Sequence, residues 1–208
     1  MPFKDENNIS LSVLILSISS RLDKLTKLLD KLETQIKDRP EKVEVLCLLD
    51  NKSKHIADKR NDLLAAARGK YIAFLDDDDD ISDDYITTLV DIIEEYPQAD
   101  IITFNQKCLI NGRKMNVIFG MNNPTEHPVL MPDGNLSDIL RPPFHMCVWK
   151  TNIAKSEVFE RIYDENGQSG EDHHWCKKLY PKIKIEYKIN KALHHYIYSS
   201  QTTESILK

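Results

Sequence analysis

The sequence lacks the features of several large classes of protein. Its longest strongly apolar run, Leu11–Ile18, has only eight residues, and two of them are serine, so no segment predicts a membrane span or a signal peptide. Its four cysteines lie far apart and form no C-x-x-C pair, which disfavours a disulfide framework and a zinc knuckle. We therefore expect a soluble, cytoplasmic protein with reduced thiols.

The charge balance argues weakly against a general binder of polyanions. The net charge is −5, although residues 141–208 carry 11 Lys and Arg against 8 Asp and Glu. A nucleic-acid partner is therefore not favoured, but the basic last third keeps it open. With 208 residues, 41% of them hydrophobic, the chain can build the core of a single domain.

The first half of the chain alternates between strand and helix patterns. Near-continuous apolar runs predict buried strands at Leu11–Ile18, Val43–Leu49 and Tyr71–Leu75. Helical patterns follow each strand: the first stops before Pro40, the second runs through Ile56 to Arg68 with Gly69 expected just past its end, and the third ends at Pro97. Three strand–helix units in succession predict a mainly parallel sheet flanked by helices, of the α/β class.

The pattern changes after residue 99. Segments 99–110 and 113–119 flank Asn111-Gly112, which predicts a hairpin. Residues 120–143 hold five of the nine prolines and are interpreted as a long loop. A helix is expected at Glu171–Leu179 and a strand at Lys184–Ile189. Trp149 and Trp175 are expected to pack in the core or to stack on a sugar.

A dense acidic cluster follows the third predicted strand. Residues 76–84 contain seven aspartates in nine positions, and like charges this close repel one another. A divalent ion such as Mn²⁺ or Mg²⁺ is the simplest compensating cation, since these ions take oxygen ligands and often bridge to phosphates. Because ligands of parallel sheets bind beyond the carboxyl ends of the strands, this cluster and Asp50 are expected at one crevice.

The residues around this cluster also resemble a known family. Residues 59–79 are similar to the signature of family-2 glycosyltransferases. The similarity lies in the order of Lys59-Arg60-Asn61, residues 65–71, Ile72-Ala73-Phe74-Leu75 and Asp76 to Asp79. The resemblance covers roughly residues 10–95, and it is weaker at Gly170-Glu171-Asp172 and at residues 194–199.

The resemblance implies a GT-A fold and the transfer of a sugar from a nucleotide-diphosphate donor, typically a UDP-sugar, to a hydroxyl acceptor with inversion. It implies a nucleotide-sugar-binding half over residues 1–98 and an acceptor-binding half over residues 99–208 of the same domain. The acceptor stays open between a glycan, another hydroxyl carrier and a modified nucleobase in DNA.

The resemblance also suggests roles for individual residues on the donor side. It implies that Asp78 coordinates the metal and that Asp76 reaches the metal or the ribose. It implies that Asp50 binds the nucleobase and that Arg60 helps to hold the nucleotide, although a salt bridge from Arg60 to the acidic cluster is an equal alternative. Ser17 is expected either to line the nucleotide pocket or to serve the turn.

Two more roles concern the end of the chain. Asp172 matches the general base of inverting members, and its alternative is a helix N-terminal carboxylate beside Glu171. His195 is a candidate third metal ligand, while packing is the alternative for both His194 and His195. The adjacent histidine pairs lack the spacing of a zinc site on a helix.

Two other functions compete with glycosyl transfer. A nucleotidyltransferase would need a glycine-rich turn after the first strand to bind phosphates, whereas residues 17–21 contain no glycine. A non-catalytic module that binds nucleotide sugars would keep the fold without needing the candidate base.

Overall fold

The structure of the chain is a computed structural model that describes residues 8–110, 112–124, 127–130, 136–163 and 170–198. Its strands are β1 (Leu11–Ile18), β2 (Val43–Asp50), β3 (Tyr71–Asp76), β4 (Asp80–Ile81), β5 (Ile101–Ile110), β6 (Arg113–Phe119), β7 (His127–Leu130), β8 (Leu136–Arg141), β9 (Val148–Lys150) and β10 (Glu186–Tyr198). Its α-helices are α1 (Leu22–Ile36), α2 (Ile56–Ala66), α3 (Tyr85–Glu95), α4 (Thr151–Ala154) and α5 (Glu171–Leu179).

In the part of the chain described, ten strands form one mixed sheet. Its main order is β2-β1-β3-β9-β5-β6-β8-β7, and β10 pairs with both β5 and β4. The unit β2-β1-β3 is parallel, whereas β9 is antiparallel to both β3 and β5. The predicted α/β class with a mainly parallel, helix-flanked nucleus is confirmed.

The sheet separates two hydrophobic layers because side chains alternate along its strands. From β1, Val13 and Ile15 join a core with the apolar stripes of α1 and α3. Leu14 and Leu16 enter a second core with α2 and α5. Trp149 and Trp175 are fully buried in this second layer, with ring centroids 5.2 Å apart, so they pack in the core and do not reach a ligand.

The predicted long loop at 120–143 is wrong for the residues that the structure describes there. β7 and β8 lie within it, and β8 pairs in parallel with β6. The prolines misled the prediction, since Pro128 lies in β7 at the end of the sheet order, where a strand tolerates proline. The predicted hairpin is confirmed by the antiparallel pairing of β5 with β6, and Gly112 has a φ of 81°.

Gly69 has a different role from the one expected. Helix α2 ends at Ala66, before Gly69, and so Gly69 does not terminate it. A Cβ atom on Gly69 would lie 2.6 Å from the backbone nitrogen of Ser12 and 2.7 Å from its hydroxyl. The absence of a side chain therefore allows the start of β3 to approach β1.

The predicted absence of a membrane helix can be compared with the fold. Over the described ranges, the chain forms no helix long and apolar enough to cross a bilayer.

Candidate functional site

The carboxyl ends of β1, β2 and β3 meet at one edge of the sheet. The register pairs Ile18 with Asp50 and Leu16 with Asp76, so the polar residues after these strands share a crevice. Two cavities open there and have Asp76 and Tyr196 in common. The first cavity has a volume of about 350 Å³ and the second about 410 Å³.

The acidic cluster is partly neutralised by cations from the start of the first helical segment. Asp77 is buried, accepts a hydrogen bond from the Ser17 hydroxyl at 2.7 Å and pairs with Arg21 at 2.8 Å. Asp78 lies 3.2 Å from the same guanidinium and 3.9 Å from the ammonium of Lys24. Ser17 therefore contacts the acidic turn through its side chain, and it also borders the first cavity.

Three further aspartates of the cluster, Asp80, Asp83 and Asp84, contact lysines. Lys31 pairs with Asp80 at 2.9 Å and with Asp83 at 3.3 Å, and Lys191 pairs with Asp84. Much of the charge that the sequence suggested a metal would compensate is thus balanced by the protein's own side chains.

Arg60 links the end of β3 to the start of α5. Its guanidinium is fully buried and lies 3.5 Å from Asp76 and 3.3 Å from Glu171. The guanidinium carbon also lies 5.3 Å from the ring centroid of Phe74 and 5.7 Å from that of Phe159. Arg60 therefore forms the predicted salt bridge to the acidic cluster. It does not line either cavity.

Asp76 and Asp78 both border the first cavity, and burial raises the pKa of each carboxyl. For Asp76 the pKa rises to about 7, with Arg60 acting in the opposite direction. Carboxyls of this kind gain from an added cation. Nevertheless, in the described part of the chain no three or more His, Cys, Asp or Glu side chains are grouped as metal ligands.

His194 is the histidine that meets the acidic turn. Its Nε2 lies 2.9 Å from Asp79, and its Nδ1 lies 3.0 Å from the side-chain nitrogen of Gln106. The Gln106 amide is oriented by the thiol of Cys108, which donates to its oxygen at 3.4 Å. Since the amide nitrogen donates to Nδ1, the ring proton lies on Nε2, which is close to Asp79 but forms no hydrogen bond of good geometry within the described structure.

His195, the candidate metal ligand from the sequence, lies elsewhere. Its Nδ1 is 3.5 Å from Asp80, and His195 in β10 is the antiparallel sheet partner of Asp80 in β4. The structure does not bring His195 together with Asp76 in either cavity.

Asp172 occupies the first turn of α5 and borders the second cavity together with Asp76. The backbone N–H of His173 donates to one of its oxygens at 2.6 Å, and Nδ1 of His145 lies 3.4 Å from the other. Burial raises the pKa of Asp172, while the charge of Arg60 lowers it. The raised pKa makes this carboxylate a better proton acceptor than an ordinary aspartate.

His145 was missed by the sequence analysis. It is 7% exposed, and burial, followed by the charge of Arg60, holds its pKa well below the ordinary value, so the imidazole is neutral. Its Nδ1 has no hydrogen bond of good geometry within the described structure. A lone histidine in an apolar stretch carried no signal that pointed to Asp172.

Asp50 is held by its own neighbourhood. Its carboxylate lies 2.5 Å from the ammonium of Lys59 and accepts from the backbone N–H of Lys54 at 2.9 Å. The hydrogen bond from Lys59 holds the pKa of Asp50 well below its usual range. Lys59 also donates to the carbonyl of Ser17 at 2.9 Å and lines the first cavity, whereas the side chain of Asp50 lies beside that cavity.

The first cavity is therefore lined by both basic and acidic side chains. Its basic side chains, which we call the basic wall, are Arg21, Lys52, Lys54 and Lys59, and none of them was assigned to the site from the sequence. The basic wall attracts a polyanionic ligand, and the acidic turn, which Arg21 contacts, offers oxygen ligands for a cation.

A family model described as glycosyl transferase family 2 matches residues 20–162. No curated protein matches the chain.

Among solved structures, the chain is similar to S. aureus TarS 1-349 in complex with UDP-GlcNAc, with a TM-score of 0.58 and 20% identity over 92% of this chain and 59% of that one. It is also similar to the same protein in complex with UDP, with a TM-score of 0.56 and 20% identity over 93% of this chain and 62% of that one. The chain thus spans about three fifths of the length of these TarS chains.

Proposed function

The chain belongs to glycosyl transferase family 2, and from that premise we propose that it moves a sugar from a UDP-sugar to an acceptor hydroxyl with inversion and with the help of a divalent metal ion. The observation that carries the proposal is the meeting of the two cavities at Asp76, with the basic wall on one side and Asp172 on the other. Family membership favours glycosyl transfer over the nucleotidyl-transfer and non-catalytic alternatives.

The first cavity suits the nucleotide diphosphate. Its basic wall supplies cations for two phosphates, and Asp50 beside it has the acceptor oxygens that an imide N–H of a uracil base requires. The similar TarS structures contain UDP or UDP-GlcNAc, which supports a uridine donor. We place the donor with residues 1–98 and the acceptor with residues 99–208, since the second cavity is lined mainly by residues of the later part.

Asp76 and Asp78 would hold Mn²⁺ or Mg²⁺. Their raised pKa values and their place at the border of the first cavity fit a cation that is shared with phosphate oxygens. When bound, the ion would neutralise charge on the departing diphosphate. His194 is then the nearer histidine, because it contacts the turn that carries both carboxylates.

Asp172 acts as the general base. The acceptor hydroxyl enters the second cavity, loses its proton to Asp172 and attacks the anomeric carbon from the face opposite the diphosphate. The backbone N–H of His173 holds one oxygen of the carboxylate in place, and the imidazole of His145 lies 3.4 Å from the other oxygen. Because one base activates the nucleophile directly, the configuration at the anomeric carbon inverts.

The proposal is tested by incubating the protein with a panel of UDP-sugars, Mn²⁺ and mixed hydroxyl acceptors, and by measuring the release of UDP. Asp172→Asn is expected to lower turnover about 10²- to 10⁴-fold, while calorimetry should still detect the binding of UDP to the variant. Asp78→Ala is expected to remove the enhancement of UDP binding by Mn²⁺. Asp83→Asn is the matched control, because the Asp83 side chain is fully exposed.

Two outcomes would contradict the proposal. Near-normal turnover in Asp172→Asn removes that residue from the base role. An absence of mutual enhancement between UDP and Mn²⁺ in the wild-type protein removes the metal from the mechanism.

A further inference from the structure

The lining of the second cavity is of two kinds. Its polar side chains are Asp76, Asp79, Gln106, Arg141, His145, Asp172 and His194, and the guanidinium carbon of Arg141 lies 4.7 Å from the ring centroid of Phe144. Six of its apolar side chains are Ile110, Met115, Val117, Phe119, Ile139 and Phe144. We call these six side chains the apolar wall. The segments that build it are β5, β6, β8 and the stretch before β9.

The strand register explains why the wall is continuous. Met115, Val117 and Phe119 alternate along β6 and therefore point to one face. Cys108 of β5 pairs with Met115, and Ile139 of β8 pairs with Val117, which extends the same face across three strands.

The opposite face of these strands is mixed. Lys107 of β5 and Lys114 and Asn116 of β6 occupy the alternate positions and are exposed, while Leu109 and Ile118 on the same face are half-buried. The cavity side of β6 is thus more apolar than its opposite side.

The acceptor is the substrate that must reach this wall. Asp172, the proposed base, borders the second cavity and not the first, and a base must contact the hydroxyl that it deprotonates. The acceptor therefore fills the space between Asp172 and the apolar wall.

The wall is poorly suited to a polar acceptor. Sugar hydroxyls placed against it would exchange water for apolar carbon and sulfur, and each buried hydroxyl without a partner is unfavourable. An aryl or alkyl group in the same place gains from the removal of apolar surface from water, and the methionine and phenylalanine side chains suit such a group.

We propose that the acceptor carries an apolar group, aryl or alkyl, close to the hydroxyl that receives the sugar, and that this group packs against the apolar wall. The inference rests on the proposed function and specifies its acceptor class. An acceptor made only of sugar residues would leave the wall uncovered.

The test uses the full chain, Mn²⁺ and the UDP-sugar that supports the fastest UDP release. The acceptors are the methyl, phenyl and octyl glycosides of one hexose, which share their hydroxyls and differ only in the apolar group. We expect kcat/KM for the phenyl or octyl glycoside to exceed that for the methyl glycoside at least about tenfold, through a lower acceptor KM.

Two variants locate the effect on the wall. Val117→Thr keeps the shape of a buried side chain but adds a hydroxyl, and it is expected to remove most of the preference for the apolar glycosides. Met115→Gln, at a half-buried position, repeats the test if the first variant does not fold. Val158→Thr is the control, since Val158 is 59% exposed and lies outside the cavity, and its preference should equal that of the wild type.

The outcomes separate the inference from the proposed function. Equal kcat/KM values for the three glycosides, with UDP released from all of them, overturn the inference alone. A change in the donor KM in place of the acceptor KM also overturns it, since the wall would then face the donor sugar. An absence of UDP release with every donor and acceptor overturns both.

Discussion

Replacing Arg60 with methionine removes the cation that joins the two halves of the site. The wild-type guanidinium is fully buried between the carboxylates of Asp76 and Glu171, at 3.5 and 3.3 Å, and beside the rings of Phe74 and Phe159. Methionine keeps an unbranched apolar side chain for the contact with the rings. The perturbation is therefore mainly the loss of the positive charge.

The expected cost follows from what is left behind. Removing one partner of a buried ion pair typically destabilises a protein by about 3–5 kcal/mol, because the other charge stays buried without compensation. Here the Glu171 side chain is 3% exposed, so water cannot replace its lost contact with Arg60 without local opening. With a urea slope of about 2–3 kcal/mol per molar, the unfolding midpoint should fall by about 1–2.5 M.

The assay is urea unfolding followed by circular dichroism, with Arg161→Met as the matched control. Arg161 pairs with Asp58, but its side chain is 64% exposed, and such surface pairs contribute about 0–1 kcal/mol. The control should therefore unfold close to the wild-type midpoint.

The pH dependence of the unfolding midpoint provides a second test. Burial raises the pKa of Asp76 to about 7 in the folded protein, which is above its value in the unfolded chain. Between these two pKa values the folded state binds more protons than the unfolded state. The free energy of unfolding therefore falls as the pH rises through this range. Loss of Arg60 removes the charge that opposes this rise of the pKa. The deficit of Arg60→Met should thus be larger at pH 8 than at pH 5, and a midpoint equal to that of Arg161→Met at both pH values would refute the reasoning.

Three further predictions follow from the site and its supports. His145→Phe should leave the acid limb of the pH–rate profile close to that of the wild type, because the imidazole is neutral and forms no hydrogen bond of good geometry with Asp172; an upward shift of that limb would show that His145 stabilises the ionised base. Gly69→Ala should destabilise the fold by about 1–3 kcal/mol in urea unfolding, since a Cβ would meet Ser12 at 2.6 Å; an unchanged midpoint would contradict the close approach. Asp77→Asn should lower thermal stability but preserve the enhancement of UDP binding by Mn²⁺ in calorimetry, because its carboxylate is held by protein side chains; a loss of that enhancement would make it a metal ligand.

The fold nucleus could be predicted from local patterns. The strands β1 and β3 are apolar runs buried on both sides, and the helices between the first three strands carry apolar residues at helical spacing. β2 was also predicted to be buried, but it lies at the end of the sheet order and is only partly buried. These signals lie within a few residues of one another. They fix the direction of each strand, and hence the edge at which Asp50 and Asp76 meet.

The partners of the acidic cluster could not be predicted in the same way. Arg21 and Lys24 contact Asp77 and Asp78 from more than 50 positions earlier in the chain. The pattern of the aspartates indicates only that a cation must be near. Whether that cation is a metal ion or a side chain depends on how α1 packs beside β3.

The difference between His194 and His195 shows most clearly what the sequence leaves undetermined. The pairing of β10 with β5 shifts between Ile189 and Ala192 and again between Ala192 and His194. Each such irregularity changes which side of the strand a residue faces, and no local pattern marks it. The sequence alone placed the adjacent histidines near the C-terminal tail, after a strand predicted at Lys184–Ile189. Only the tertiary structure showed that the strand extends through them, and decided which of the two meets Asp79, because the register is set by contacts with distant strands.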